Sequence, residues 1–263
     1  MRAVLILIFL SLALPALAQS DSRLQAMQTA DASRGWEAVG RLNMDGAGFC
    51  TGTLISETRV LTAAHCLFDQ RTGQRIDESR LEFLAGWRTG RAEASRAVRR
   101  AAIWPGFNIR AGAALANVPT DLALLELDRP IRTTGIQPFE VSSAPPRRGD
   151  TVAVVSYGRG RADTPSIQQT CHVLDQRRDG VSVFSCQIDY GSSGSPVFAV
   201  QDNQLRIVSV ISAMAEGTEE PVSLGMQLGV RVNALAQALD NGVTGVTAGQ
   251  PQGARTTARF LRP

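Results

Sequence analysis

The stretch Asp189-Tyr190-Gly191-Ser192-Ser193-Gly194-Ser195-Pro196-Val197-Phe198 crowds small residues around a serine and then becomes an apolar, strand-like run. Glycines admit positive φ and let backbone N–H groups approach a bound atom closely. A serine in such a loop can present its hydroxyl beside backbone donors, the arrangement that acyl transfer requires. Alone, the segment is weak evidence, because Gly/Ser clusters are usually just turns. A base and a carboxylate elsewhere in the chain decide between the two.

The chain has two histidines, His65 and His172. Most general bases that work near neutral pH are histidines, so this scarcity narrows the search. His65 ends the run Val60-Leu61-Thr62-Ala63-Ala64-His65-Cys66, where the small alanines leave room beside the ring. A purely structural histidine is the alternative. His172 follows Cys171 in a polar strand and reads as a surface position. Asp121 stands directly ahead of Leu122-Ala123-Leu124-Leu125-Glu126-Leu127. An acid there is expected to be partly buried, where a lone carboxylate is costly. A histidine N–H would offset that cost, and backbone N–H groups capping the strand are the alternative.

From Trp36 onward, short apolar runs alternate with gaps rich in Gly, Pro, Asp and Asn. Strands are expected at 38–44, 49–55, 59–63, 81–87, 98–104 and 122–127. A second set is expected at 151–157, 168–174, 181–188, 196–200, 205–213 and 224–232. Prolines at 130, 138, 145 and 146 disfavour a central strand or helix between the sets. The expectation is an all-β fold with two six-stranded antiparallel β-barrels, 36–129 and 151–242, joined by a connector at 130–150. Residues 233–239 have helical composition, with Asn241-Gly242 as a stop, so a short C-terminal helix completes the second unit. Residues 243–263, rich in Gly, Thr, Gln and Arg, read as a flexible tail.

Arg2, the apolar run 3–14 and Ala16-Leu17-Ala18 read as a signal peptide over residues 1–18. Residues 19–35 are then a leader or short pro-segment, and export leads to the periplasm or the medium. The net charge of +3 becomes +2 without Arg2, and −1 without Arg255, Arg259 and Arg262 of the tail. That balance gives no reason to expect nucleic acid. The chain contains no lysine, a fact for which we have no physical account. Four cysteines fit two disulfides in an oxidising compartment. Three connectivities are possible, and the sequence-local pairs Cys50–Cys66 and Cys171–Cys186 are favoured. Loops of about 15 residues closed this way each contribute roughly 3 kcal/mol. No Cys-x-x-Cys element supports zinc, and the acids of loop 69–78 read as a solvated turn in preference to a weak calcium site.

Three groups of residues carry a family resemblance: Cys50-Thr51-Gly52-Thr53-Leu54 with Thr62-Ala63-Ala64-His65-Cys66, Asp121-Leu122-Ala123-Leu124-Leu125, and Gly191-Ser192-Ser193-Gly194-Ser195-Pro196. Their order, His then Asp then Ser, is that of chymotrypsin-like triads. The chain resembles the trypsin/chymotrypsin family of serine proteases, and most its bacterial glutamyl-endopeptidase-like (V8-like) branch. The resemblance implies a cleft between the barrels, with Ser193 as nucleophile, His65 as base and Asp121 as its partner. It also implies an oxyanion hole from the N–H groups of Gly191 and Ser193. The expected function is an exported serine endopeptidase acting on polypeptides as a monomer, with no cofactor or metal and no membrane association after signal removal. A proteolytically silent binding module of the same fold is the alternative. An α/β-hydrolase is disfavoured, because its elbow needs glycine where Ser195 stands.

Two departures from the family carry expectations. Animal trypsins place an aspartate before the nucleophile to pair with a newly cleaved N-terminal amine; here the residue is Ser192, so the loop is expected to be organised without that amine. The pocket floor falls at Gln187, with Ile188 beside it, and neither is an acid. Residues 205–213 contain no histidine, which argues against glutamate selectivity. Ser209 or Ser212 would supply the serine lining the pocket, with spacing slightly favouring Ser212. A neutral or small apolar residue before the scissile bond is expected.

Overall fold

The computed structural model describes residues 23–46, 48–215, 221–243 and, in backbone only, 258–260. The expected signal peptide lies outside these residues. Two short elements come first, strand β1 (Gln25–Ala26) and helix α1 (Ala30–Ser33). The next six strands are β2 (Val39–Met44), β3 (Phe49–Ser56), β4 (Arg59–Thr62), β5 (Leu81–Ala85), β6 (Ala94–Ile103) and β7 (Ala123–Leu127). They close into an antiparallel barrel in the order β2-β3-β4-β7-β6-β5, with Gly40 opposite Ala85 at the seam.

The second set is β8 (Thr151–Gly158), β9 (Arg161–Gln176), β10 (Val181–Phe184), β11 (Pro196–Gln201), β12 (Gln204–Ala215) and β13 (Val222–Gln227). Its order is β9-β10-β13-β12-β11-β8, and β8 pairs back onto β9, closing a second six-stranded barrel. Helix α2 (Arg231–Asp240) and strand β14 (Ala258–Phe260) follow.

Three buried clusters explain the apolar patterning. Leu42, Leu54, Val60, Phe83 and Leu125 fill the first barrel, and Val154, Val173, Phe184, Val197 and Ile211 fill the second. A third cluster lies between the barrels and beneath α2, and includes Leu61, Leu124, Val155, Val210, Leu235 and Leu239. Successive strand residues point to opposite faces. Leu124 therefore meets the inter-barrel cluster while Leu125 enters the barrel, which is why β7 reads as a nearly continuous apolar run. Across the connector, Trp36, Phe139 and Phe198 stack with centroids 4.7–5.8 Å apart.

Helix α2 buries Val232, Leu235 and Leu239. It stops as expected at Asn241-Gly242. Gly242 has φ +74° and donates to Leu239 O, while Val243 N donates to Ala238 O at 2.8 Å, a Schellman closure.

Several expected boundaries need correction. The strand expected at 224–232 ends at Gln227, and Gly229 with φ +44° turns the chain into α2. The strand expected at 181–188 ends at Phe184, because Gln187 N turns to Gln168 Oε1 at 2.7 Å. β6 and β9 begin earlier than expected, since their first residues are largely polar or exposed and give no apolar signal. The leader also carries structure: Gln25 and Ala26 pair with Ile167 and Ser166 of β9, and Met27 is buried. Most of the tail lies outside the described residues, but Ala258–Phe260 forms a strand on β12 where flexibility was expected.

Candidate active site

Asp121 ends a 3-10 stretch, Leu115–Thr120, immediately before β7, and is completely buried. Its carboxylate is nevertheless well supplied with donors. Oδ1 accepts from His65 N at 2.8 Å, and Oδ2 accepts from His65 Nδ1 at 2.7 Å and from Ser212 Oγ at 2.5 Å. Charge-assisted bonds of this kind offset the desolvation of a buried carboxylate. Because an ionised carboxylate only accepts, the Nδ1 contact puts the proton of a neutral His65 ring on Nδ1 and leaves Nε2 as the basic nitrogen.

His65 lies in the 3-10 turn Ala64–Leu67, which follows the extended residue Ala63. Cys66 is bonded to Cys50 of β3, so the turn is tied covalently to the barrel wall. Cys50, Cys66 and His65 lie close together, but the disulfide removes the thiolates that a metal would need. The second disulfide, Cys171–Cys186, joins β9 to the segment leading toward Ser193. Both pairings follow the sequence expectation.

The loop carrying Ser193 is wedged between the barrels. Thr51 N donates to Ser193 O at 2.9 Å, and Thr51 Oγ1 donates to Gly191 O at 2.9 Å. On the other side, Gly194 N donates to Ile211 O at 2.8 Å, and Ile211 N donates to Ser195 O at 2.9 Å. The approach is so close that side chains are excluded. Gly194 has φ +80°, and a Cβ there would lie 2.2 Å from Thr51 O and from Thr62 Oγ1. At Gly191, with φ +94°, a Cβ would lie 2.3 Å from the Phe49 ring. Among the described residues, the Gly191 N–H donates to no protein group.

Ser192 meets a different partner from an N-terminal amine. Its hydroxyl donates to Tyr157 O at 3.1 Å and accepts from Asp189 N at 3.2 Å and from Arg161 Nη2 at 3.0 Å. Arg161 also donates to Ser156 O at 2.6 Å and Ser156 Oγ at 3.0 Å. Gly158 makes room for it, since a Cβ there would lie 2.6 Å from Nη2. Burial pushes the Arg161 guanidinium down to about 10, with Asp189 opposing the shift.

Gln187 and Ile188 line a cavity of about 690 Å³ together with Gln168, His172, Met214 and Val222. No arginine or carboxylate contributes to its wall among the described residues. Gln187 Oε1 accepts from Leu24 N of the leader at 3.4 Å. His172 is exposed, as expected of a surface strand, yet it borders this cavity. Ser212 does not line it; its hydroxyl is turned to Asp121, at a bulge between Ile211 and Ala213. Ser209 is also turned away, donating to Met226 O.

Sequence reasoning assigned no roles to Thr51 and Arg161. Thr51 sits inside a recognisable motif, so a signal was present. Arg161 is one arginine among many, and nothing in its neighbours distinguishes it.

Residues 50–206, more than half of the chain, match the family model for the trypsin-like peptidase domain. Serine protease 23 of Mus musculus is 29% identical over 167 residues, covering 57% of this chain and 42% of that protein. Serine protease 23 of Homo sapiens is 28% identical over the same length and the same shares. Trypsin epsilon of Drosophila erecta is 27% identical over 146 residues, covering 54% of this chain and 51% of that protein. The chain thus spans about half the length of the curated relatives it matches. With a double barrel, and a buried His–Asp pair beside a clamped Gly-x-Ser-Gly loop, the chain belongs to the trypsin-like peptidase domain family.

Proposed function

We propose that this protein is an exported serine endopeptidase, with Ser193 as nucleophile, His65 as general base and Asp121 as the group that orients it. The observation that carries this reading is the double grip of Asp121 on the backbone N–H and Nδ1–H of His65, reinforced by Ser212. Ser193 Oγ attacks the substrate carbonyl as its proton passes to His65 Nε2. The tetrahedral oxyanion is held by the N–H groups of Gly191 and Ser193. Collapse expels the leaving amine, which takes the proton from Nε2 and leaves an acyl-enzyme. Water then repeats the sequence, releasing the acid and restoring Ser193.

The two disulfides fit an oxidising compartment, and the N-terminal sequence fits export. The cavity at Gln187 and Ile188, to whose wall no arginine or carboxylate contributes among the described residues, supports a neutral residue before the scissile bond. Ser192 held by Arg161, with the leader tied to β9, supports a loop organised without a new N-terminal amine and hence the bacterial V8-like branch. We assign barrels to 36–129 and 151–242, a connector to 130–150, and a monomeric active form.

A fluorophosphonate probe tests the reading. The wild type and Ser195→Ala should be labelled, and Ser193→Ala should lose both labelling and peptide cleavage. A folded protein that neither labels nor cleaves, whether whole or cut after Val243, would leave only the silent binding module.

A further inference from the structure

Strand β12 has one edge covered by β13 from Ser209 to Ala215. On its other edge, β11 pairs only as far as Pro196, opposite Val210. Past that point the edge runs by Ser212, which holds Asp121, and on through Ala213–Ala215. β14 occupies this remainder. Phe260 lies opposite Ala213, Arg259 opposite Met214 and Ala258 opposite Ala215, all antiparallel.

β14 and β11 therefore lie end to end on one edge of β12 and run in the same direction. The loop of Ser193 leads into β11 and sits where the two strands face each other. Ile211, two positions from the partner of Phe260, is bonded to Gly194 and Ser195. A peptide continuing in the register of β14 comes opposite Ser212 one residue after Phe260 and then meets the Ser193 loop. This is the direction of the acyl part of a substrate: N-terminal residues on the edge, carbonyl arriving at the nucleophile. Strand addition of this kind binds through main-chain hydrogen bonds.

Two further facts agree. Ser193 is 0% exposed and His65 is 1% exposed, so both side chains are closed to solvent in the structure that carries β14. The stretch 244–257, which separates β14 from the end of α2, can reach roughly 50 Å when extended, ample for an internal ligand.

We propose that the C-terminal segment carrying Ala258–Phe260 is an internal peptide ligand of the cleft, added as a strand to β12, which a substrate polypeptide must displace to reach Ser193. The inference rests on the protease reading above.

The test compares the intact mature protein with a form truncated after Val243, which retains the closure of α2. Truncation should lower KM for a peptide substrate at least threefold, leave kcat within twofold, and speed fluorophosphonate labelling. A synthetic peptide of residues 254–263 should inhibit the truncated form competitively. Labelled with a fluorophore, it should also bind truncated Ser193→Ala by anisotropy, a readout that needs no catalysis. If truncation impairs folding, the full-length double variant Ala258→Pro, Arg259→Pro serves instead. Successive N–H groups alternate sides, so one of the two faces β12, and the same fall in KM is expected. Unchanged KM and labelling rate in these variants, with no peptide binding, would overturn the inference while labelled Ser193 upholds the protease reading. Peptide binding to a truncated form that never labels would overturn the protease reading instead.

Discussion

Replacing Arg161 with methionine tests how the nucleophile loop is held. The guanidinium makes three hydrogen bonds, to Ser156 O, Ser156 Oγ and Ser192 Oγ, at 2.6–3.0 Å. Bonds to a charged group contribute about 1.5–3 kcal/mol each. Against them stands desolvation, which pushes the guanidinium from 12.5 down to about 10, roughly 3 kcal/mol against the charged form. Methionine removes the bonds and the buried charge together, so the net loss of stability should be about 1.5–6 kcal/mol. For a domain of this size that lowers Tm by roughly 3–24 °C. Activity should respond more strongly. Ser192 lies between the two proposed oxyanion donors, and loss of one aligned donor typically lowers kcat about 10²–10³-fold. The assay is kcat and KM on a peptide substrate, normalised by titrating active sites, with calorimetry for Tm. Arg161→Lys keeps the charge and one donor nitrogen, and should recover part of kcat. A methionine variant that stays folded with kcat within threefold of wild type would refute the assignment. So would a loss of kcat that vanishes on normalisation.

Two further outcomes follow from the packing. Gly194→Ala should lower Tm by roughly 5–15 °C, because positive φ costs about 1–2 kcal/mol and overpacking against Thr51 and Thr62 about 1–3 more; a thermal melt within 2 °C of wild type would contradict the close approach. Glu126 is raised by desolvation, but Arg59 and Arg100, each 2.5 Å away, outweigh this and hold it below the usual carboxylate range. Its contribution to stability is therefore present above the ordinary glutamate value and lost as pH falls through the lowered one. Glu126→Gln should reduce Tm near neutral pH and flatten its decline between about pH 5 and 3; parallel Tm curves for the two proteins would rule that out.

Much of the architecture was legible because its signals are local. Short runs bounded by turn residues placed both sets of strands, and Asn241-Gly242 stopped α2 where a Schellman closure needs glycine. His65, Asp121 and Ser193 could be singled out because their surroundings are distinctive: a lone base after small residues, an acid ahead of an apolar run, a serine among glycines. The polar openings of β6 and β9 gave no such signal, and neither did the leader, whose pairing is with a strand some 140 residues later.

By itself, the sequence determined the residue types, their order and the strand periodicity, because covalent spacing and side-chain alternation are properties of neighbours. Only the tertiary structure decided which groups finish the site. Thr51 reaches Gly191 across 140 residues, Ser212 reaches Asp121 across 91, and Arg161 reaches Ser192 across 31. Hydrogen bonds depend on separations of about 3 Å in space, and a linear chain does not encode these until two closed barrels bring its distant segments together.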